Sequence, residues 1–188
     1  MWHRYVVEPM VNLVPAPHDF GHPSWRVADG ASVTVIPDAT PGPFDGTRAQ
    51  RVIARPAEGE NRLFWFGMKR LDVADPYVAS VYARADEPQR ILLSNGRERI
   101  VCAVVSEWRR CETPAAVGPG RSQMMHDLRV PEPGVGIDVY LYGAQLERSE
   151  AVTALVDTHP TWLPPPLLYR LDLRHFEPID DARRDALA

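Results

Sequence analysis

Short apolar runs separated by proline and glycine are the feature that most limits how this chain can fold. The 188 residues include 19 prolines and 12 glycines, and the runs between them are rich in Val, Ile, Leu, Tyr and Trp. Nine runs are predicted to be strands: Ser32–Ile36, Arg48–Ala54, Asn61–Met68, Tyr77–Arg84, Arg90–Ser94, Arg99–Val105, Glu107–Thr113, His126–Val130 and Ile137–Leu146. Short strands at regular spacing, with turn residues between them, predict an all-β sandwich or barrel.

Charge and hydropathy argue against several classes of function. The formal net charge is -4, so the chain as a whole has no broad basic field for nucleic acid or for a membrane surface. No apolar run approaches the roughly 20 residues of a membrane span. The first residues, MWHRYVVEPM, lack a signal-peptide core and cleavage site. We therefore expect synthesis in the cytoplasm, with neither nucleic-acid binding nor membrane insertion.

The two cysteines are too few for a disulfide framework. Cys102 and Cys111 lie on successive predicted strands, and a two-residue turn at Ser106-Glu107 would set them directly opposite each other. Because a reducing compartment disfavours disulfides, we expect two buried free thiols.

Three regions are predicted along the chain: an N-terminal arm at 1–11, a body at 12–158 and a C-terminal extension at 159–188. The extension opens with a stiff proline-rich stretch at Pro164–Pro166. Leu167–Phe176 then alternates apolar and charged residues, which predicts a strand, and Asp180–Ala188 predicts a short helix. A lone strand must pair, either with another subunit as an attachment element or with the edge of its own sandwich.

Six segments of the body occur in an order that is typical of one family. These segments are Asn12-Leu13 with Asp19-Phe20 and Trp25, Asp45-Gly46-Thr47, Tyr77–Arg84, Trp108-Arg109-Arg110, Val139–Glu147 and Ala154–Thr158. Together they resemble the carbohydrate-binding-module-like jelly-roll domain of tail, fibre and spike proteins from tailed phages and phage-derived particles. The resemblance implies an antiparallel two-sheet jelly roll, and the small arginine-rich chain would suit a head-spike or fibre subunit of a gene transfer agent.

The resemblance also implies a role on a particle. We expect a non-catalytic virion subunit that adheres to a host surface polysaccharide such as a capsule, that contacts other virion proteins and that forms a homo-oligomer. The particle would be assembled in the bacterial cytoplasm. An alternative is a structural adaptor that only joins virion proteins, and a third is a glycan-cleaving enzyme. No hydrolase, phosphate-binding or dinucleotide-binding motif is present.

Sugar binding needs flat aromatic rings beside planar polar groups. In Phe64-Trp65-Phe66 the three aromatic side chains cannot all face one side of a strand. An outward Trp65 close to Asn61 and Arg62 is our candidate glycan platform, although packing at an interface would explain the same pattern. Trp25 and Trp108 are predicted to be core residues.

The resemblance implies that Val139–Leu146 is a central closing strand of the sandwich, and Gly143 within it predicts a bulge or a close backbone approach. One face is predicted to carry Tyr140, Tyr142, Ala144 and Leu146, and the other Val139, Leu141, Gly143 and Gln145. Gln145 and Glu147 would bond neighbouring loop backbone or contact a carbohydrate.

Metal ligation is weakly indicated and no cofactor is predicted. His18 and His22 are four residues apart, but Pro17, Gly21 and Pro23 argue against a helix that would bring them together on one face for zinc. A structural calcium would draw on three carboxylates, Asp19, Asp138 and Glu147.

Overall fold

Eleven strands form in the part of the chain that the computed structural model describes, which comprises residues 12–68, 76–117 and 124–156. The strands are β1 Arg26–Val27, β2 Ser32–Pro41, β3 Arg48–Arg55, β4 Arg62–Met68, β5 Pro76–Arg84, β6 Gln89–Ser94, β7 Arg99–Val104, β8 Arg109–Glu112, β9 Ala116–Val117, β10 Met124–Arg129 and β11 Ile137–Arg148. Within these ranges no helix could cross a membrane. The predicted arm and extension, with the extension's strand and helix, lie outside the described residues.

The strands build two antiparallel sheets. One sheet has five strands in the order β1-β4-β10-β6-β7, and the other has six, in the order β2-β3-β11-β5-β8 with β9 also paired to β5. Apolar side chains from both sheets fill the space between them. The predicted jelly-roll sandwich is therefore confirmed, and each sheet keeps one outer face that can carry function.

The aromatic core lies beneath β4. Phe64 and Phe66 are buried between the sheets and Trp65 is only half-buried, as expected from period-two alternation. The Trp25 ring packs at 5.5 Å from Phe64 and 5.5 Å from His126. Trp25 is therefore a core residue, as predicted. Trp108, by contrast, is not buried, and that prediction was wrong.

Gly143 shifts the phase of β11. Tyr142 pairs with Tyr82 but Gln145 pairs with Ser80, so that Gly143 and Ala144 together oppose one residue of β5. The backbone of Gly143 has φ +64°, and a Cβ there would lie 2.5 Å from Leu155 Cδ2. Glycine is required at this position for both reasons.

The bulge corrects the predicted faces of the closing strand. The core-facing residues of β11 are Ile137, Val139, Leu141, Ala144 and Leu146. Simple alternation had placed Ala144 and Leu146 with the outward tyrosines, and this was wrong because an extra residue at a bulge reverses the side to which later side chains point. Beyond the bulge, Gln145 and Glu147 lie on the same outer face as Tyr140.

Asn12 ties the start of the body to the bulge. Its side-chain amide donates to Ala144 O at 2.9 Å, and its Oδ1 accepts from Leu146 N at 3.2 Å. The Ala144 N–H in turn donates to Pro17 O at 2.9 Å. These bonds satisfy backbone groups that the bulge removes from the ladder, which links two of the segments that carry the sequence resemblance.

The two cysteines form a disulfide, with Cα atoms 5.9 Å apart. Cys102 lies on β7 and Cys111 on β8, which are edge strands of different sheets. The predicted hairpin and free thiols were wrong, because the chain crosses from one sheet to the other between these strands and both side chains point into the shared core. The bond joins the two sheets at one edge.

Reduction of this disulfide is expected to lower the free energy of unfolding by about 2–3 kcal/mol, because the bond closes a short loop in the unfolded chain. Urea denaturation with and without reductant would measure the change. The variant Cys102→Ala/Cys111→Ala is the control and should not respond to reductant. A wild-type curve that is the same in both conditions would contradict the pairing.

Candidate functional site

The outer face of the six-stranded sheet carries a group of aromatic and charged side chains that we call the tyrosine face. Its members are Arg51, Tyr82, Arg84, Asp86, Trp108, Arg110, Asp138 and Tyr140. In antiparallel sheets, residues directly opposite each other share a face. Tyr140 on β11 lies between Arg51 on β3 and Arg84 on β5, and Tyr82 lies opposite Arg110.

Guanidinium groups stack on the rings of this face. The Arg84 guanidinium carbon lies 4.8 Å from the centre of the Tyr140 ring and 6.0 Å from that of Trp108. The Arg110 guanidinium carbon lies 5.3 Å from the centre of the Tyr82 ring. Such cation–π contacts restrain the aromatic rings and the arginines together, so the face presents rings and planar polar groups in a fixed arrangement.

Carboxylates neutralise two of the arginines. Arg51 donates two hydrogen bonds of 2.7 Å to Asp138, and this contact holds the pKa of Asp138 below its usual value. Arg84 pairs with Asp86 at 3.1 Å. The Tyr140 hydroxyl donates to the same carboxylate at 2.9 Å, which raises the pKa of Tyr140. The face is thus close to charge balance.

Phe44 and His18 extend the aromatic surface. The Phe44 ring lies 5.2 Å from Tyr82 and 6.0 Å from Tyr142, and 46% of Phe44 is exposed. His18 stacks on Tyr142 at 4.4 Å. His22 instead places Nδ1 3.0 Å from Ser24 Oγ, so the two histidines have separate partners.

Gln145 and Glu147 do not belong to an open ligand surface. Both are buried, and the segment 153–156 covers them. Gln145 Oε1 accepts from Val156 N at 2.9 Å, and Glu147 accepts from the backbone N–H and the hydroxyl of Thr153 at 3.0 and 2.6 Å. Their placement as carbohydrate ligands is therefore corrected: they fasten a loop, which was the alternative interpretation.

The residues of the predicted Trp65 platform lie on the other sheet, where Arg62 contacts Trp65 and Asn61 contacts Arg129. The Arg62 guanidinium lies 5.0 Å from the centre of the Trp65 ring. Asn61 Oδ1 accepts from Arg129 at 3.4 Å. The sequence predicted only that Trp65 and its two aromatic neighbours face opposite sides, and the structure places Phe64 and Phe66 inward. Arg129 was not among the predicted residues.

Two of the three calcium candidates are far apart. Asp138 and Glu147 lie nine residues apart on one strand, which is about 30 Å at the usual strand rise. Asp19 Oδ1 instead accepts from Gly21 N at 3.0 Å. In the described ranges no group of three or more His, Cys, Asp or Glu residues is placed to hold a metal ion.

The sequence did not predict the tyrosine face because its residues lie on strands that are far apart in the chain. Trp108 was predicted to be a core residue. The available signal was the pair of outward patterns Tyr82-x-Arg84 and Tyr140-x-Tyr142. Only the register that sets Tyr142 opposite Tyr82 brings these patterns together.

Comparison with solved structures identifies similar folds. The MgGH51 α-L-arabinofuranosidase matches with a TM-score of 0.47 and 16% identity over 77% of this chain and 25% of that one. A tailspike of bacteriophage CBA120 matches with a TM-score of 0.48 and 12% identity over 72% of this chain and 21% of the tailspike. A family 61 carbohydrate-binding module bound to β-1,4-galactotriose matches with a TM-score of 0.46 and 16% identity over 74% and 99% of the two chains.

The chain thus spans about a quarter or less of the arabinofuranosidase and of the tailspike, and nearly all of the binding module. No family profile matches its sequence. No curated protein matches it either. The function must therefore be judged from the residues of this chain.

Proposed function

We propose that the chain is a non-catalytic polysaccharide-binding protein and that the tyrosine face is its binding surface. The observation that supports this most strongly is the fixed group of Tyr82, Trp108 and Tyr140 with stacked arginines on one outer face. Aromatic rings pack against the C–H faces of sugars, and guanidinium and carboxylate groups bond to pairs of hydroxyls. Because charges on this face are nearly balanced, its ligand is a neutral glycan chain.

The charged groups of the face favour binding over cleavage. A glycosidase general acid needs a carboxyl group whose pKa is raised. The contact with Arg51 lowers the pKa of Asp138, which is the opposite change. Asp86 is 63% exposed at its side chain and bonds to Arg84 and Tyr140. Asp138 therefore lacks the apolar setting of a glycosidase general acid.

We further propose that the protein is a spike or fibre subunit of a phage or phage-like particle that adheres to host polysaccharide. The ordered sequence segments from Asn12 to Thr158 support this role. A single sugar site binds weakly, so a homo-oligomer displayed in many copies would gain avidity. Assembly would take place in the bacterial cytoplasm, and the Cys102–Cys111 bond would form after release into an oxidising environment.

A glycan array of neutral oligosaccharides, followed by calorimetry with the strongest ligand, tests the binding surface. Tyr140→Ala is expected to weaken binding about tenfold or more, because an aromatic contact of about 1–3 kcal/mol is lost. The matched control is Trp65→Ala, which removes a half-buried aromatic from the opposite face and should leave neutral binding unchanged. Both variants should keep the thermal unfolding midpoint within a few degrees, which shows that they are folded.

Three results would contradict the proposal. If the folded protein binds no neutral glycan, the structural adaptor is favoured instead. If Trp65→Ala weakens binding and Tyr140→Ala does not, the wrong face has been chosen. Release of oligosaccharides from the bound polysaccharide would show that the protein is an enzyme.

A further inference from the structure

A second row of polar side chains crosses the outer face of the five-stranded sheet. Trp65 on β4 lies opposite Arg26 on one side and Asp127 on the other, and Asp127 lies opposite Ser94, which lies opposite Arg99. At the usual strand spacing this row is about 19 Å long. We call this surface, together with the directly opposed Arg62 and Arg129 beside the row, the arginine face.

A buried carboxylate organises the centre of the arginine face. Asp127 is fully buried, and its Oδ2 accepts from Arg62 at 2.9 Å and from Arg129 at 2.7 Å. Its Oδ1 and the Arg62 Nε are both buried without a hydrogen-bond partner. The two guanidiniums are 31% and 18% exposed at their side chains. One acid therefore fixes two arginines at the surface with donor capacity left over.

The local charge is opposite in sign to that of the whole protein. Arg26, Arg62, Arg99 and Arg129 share this face with Asp127, and Arg90 beside them is paired with Glu132, in a chain whose formal net charge is -4. Arg26 and Arg99 are exposed and form no ion pair within the described ranges. The exposed, unpaired Arg26 and Arg99, together with the two arginines fixed by Asp127, are complementary to an anionic ligand.

We propose that the arginine face binds a polysaccharide whose sugars carry carboxylates. The guanidiniums would form paired hydrogen bonds with uronate carboxylates, and the half-buried Trp65 ring, held by Arg62 at 5.0 Å, would pack against a sugar ring. This site does not depend on the tyrosine face, which takes neutral chains. Duplex DNA and polyphosphate are the competing polyanions, and the test below includes both.

The test measures binding of polygalacturonate and polymannuronate by calorimetry, with fully methyl-esterified polygalacturonate as the neutral counterpart. Wild-type protein is expected to bind the acidic polymers at least about tenfold more tightly than the ester, and raised salt should weaken that binding. Arg26→Gln/Arg99→Gln is expected to weaken acidic binding about tenfold or more. This double variant leaves the buried Asp127 group intact, so its folding is not at risk.

Two further variants locate the site. Trp65→Ala should weaken acidic binding, whereas Arg55→Gln, which removes the same charge from an exposed position on β3 of the other sheet, should not. If neither uronate polymer binds, the proposal is overturned. Equal affinity for polyphosphate or duplex DNA would show a general polyanion surface instead. If Tyr140→Ala abolishes acidic binding while Arg26→Gln/Arg99→Gln does not, both ligands use the tyrosine face, and only the neutral proposal remains.

Discussion

Replacing Gly143 with alanine is expected to lower the free energy of unfolding by about 2–5 kcal/mol. The φ of +64° places a left-handed backbone cost of about 1–2 kcal/mol on any residue with a Cβ. The new methyl group would also lie 2.5 Å from Leu155 Cδ2, and overpacking of this kind costs about 1–3 kcal/mol. Urea denaturation of both proteins measures the difference.

A second glycine separates the two contributions. Gly59 has φ +75°, and a Cβ added there would have no neighbouring atom within 4 Å. Gly59→Ala should therefore cost only the backbone contribution, about 1–2 kcal/mol. The excess for Gly143→Ala then measures the contact with Leu155. An equal loss of unfolding free energy at the two positions would show that Leu155, in the segment 153–156, does not pack closely against position 143.

Lowering the pH from 6.5 to 4 is expected to remove about 3 kcal/mol of stability through His126 alone. Burial lowers the pKa of this histidine from 6.5 to about 4, although its Nε2 lies 2.9 Å from the carbonyl oxygen of Ser80. Between pH 6.5 and 4 this histidine is protonated in the unfolded chain and neutral in the folded one. Its contribution to the free energy of unfolding is therefore fully present above pH 6.5 and is lost as the pH falls towards 4.

The variant His126→Gln tests this assignment, because glutamine can still donate to Ser80 O but does not titrate. Its free energy of unfolding, measured by urea at several pH values, should fall about 3 kcal/mol less between pH 6.5 and 4 than that of the wild type. His22→Gln removes an exposed histidine and should show the same fall as the wild type. If the free energy of unfolding of the wild type does not change between pH 6.5 and 4, burial does not lower the pKa of His126.

Local pattern predicted nine of the eleven described strands, but not the two-residue strands β1 and β9. Alternation within Phe64-Trp65-Phe66 predicted that Trp65 faces the opposite side from its two neighbours. The jelly-roll sandwich was expected from the resemblance, which is based on six short segments. These features depend on residues close together in the chain, where period and turn chemistry act directly.

The local sequence pattern could not predict how strands that are far apart in the chain pair with each other. The bulge at Gly143 reverses the faces of Ala144 and Leu146 only because Leu155 and Asn12 hold it in place. Cys102 forms a disulfide because β7 and β8 belong to different sheets and both cysteines face the core between them. The local pattern had favoured a hairpin with free thiols. The tyrosine face likewise depends on register between strands that are far apart in sequence.

An NMR titration with labelled tyrosine and tryptophan side chains tests most directly whether the tyrosine face holds a neutral glycan chain. With the strongest neutral oligosaccharide from the array, the ring signals of Tyr82, Trp108 and Tyr140 are expected to shift in a saturable manner. The Trp65 signal, from the opposite face, should stay unchanged. Saturable shifts confined to Trp65, or to none of these four rings, would contradict the account.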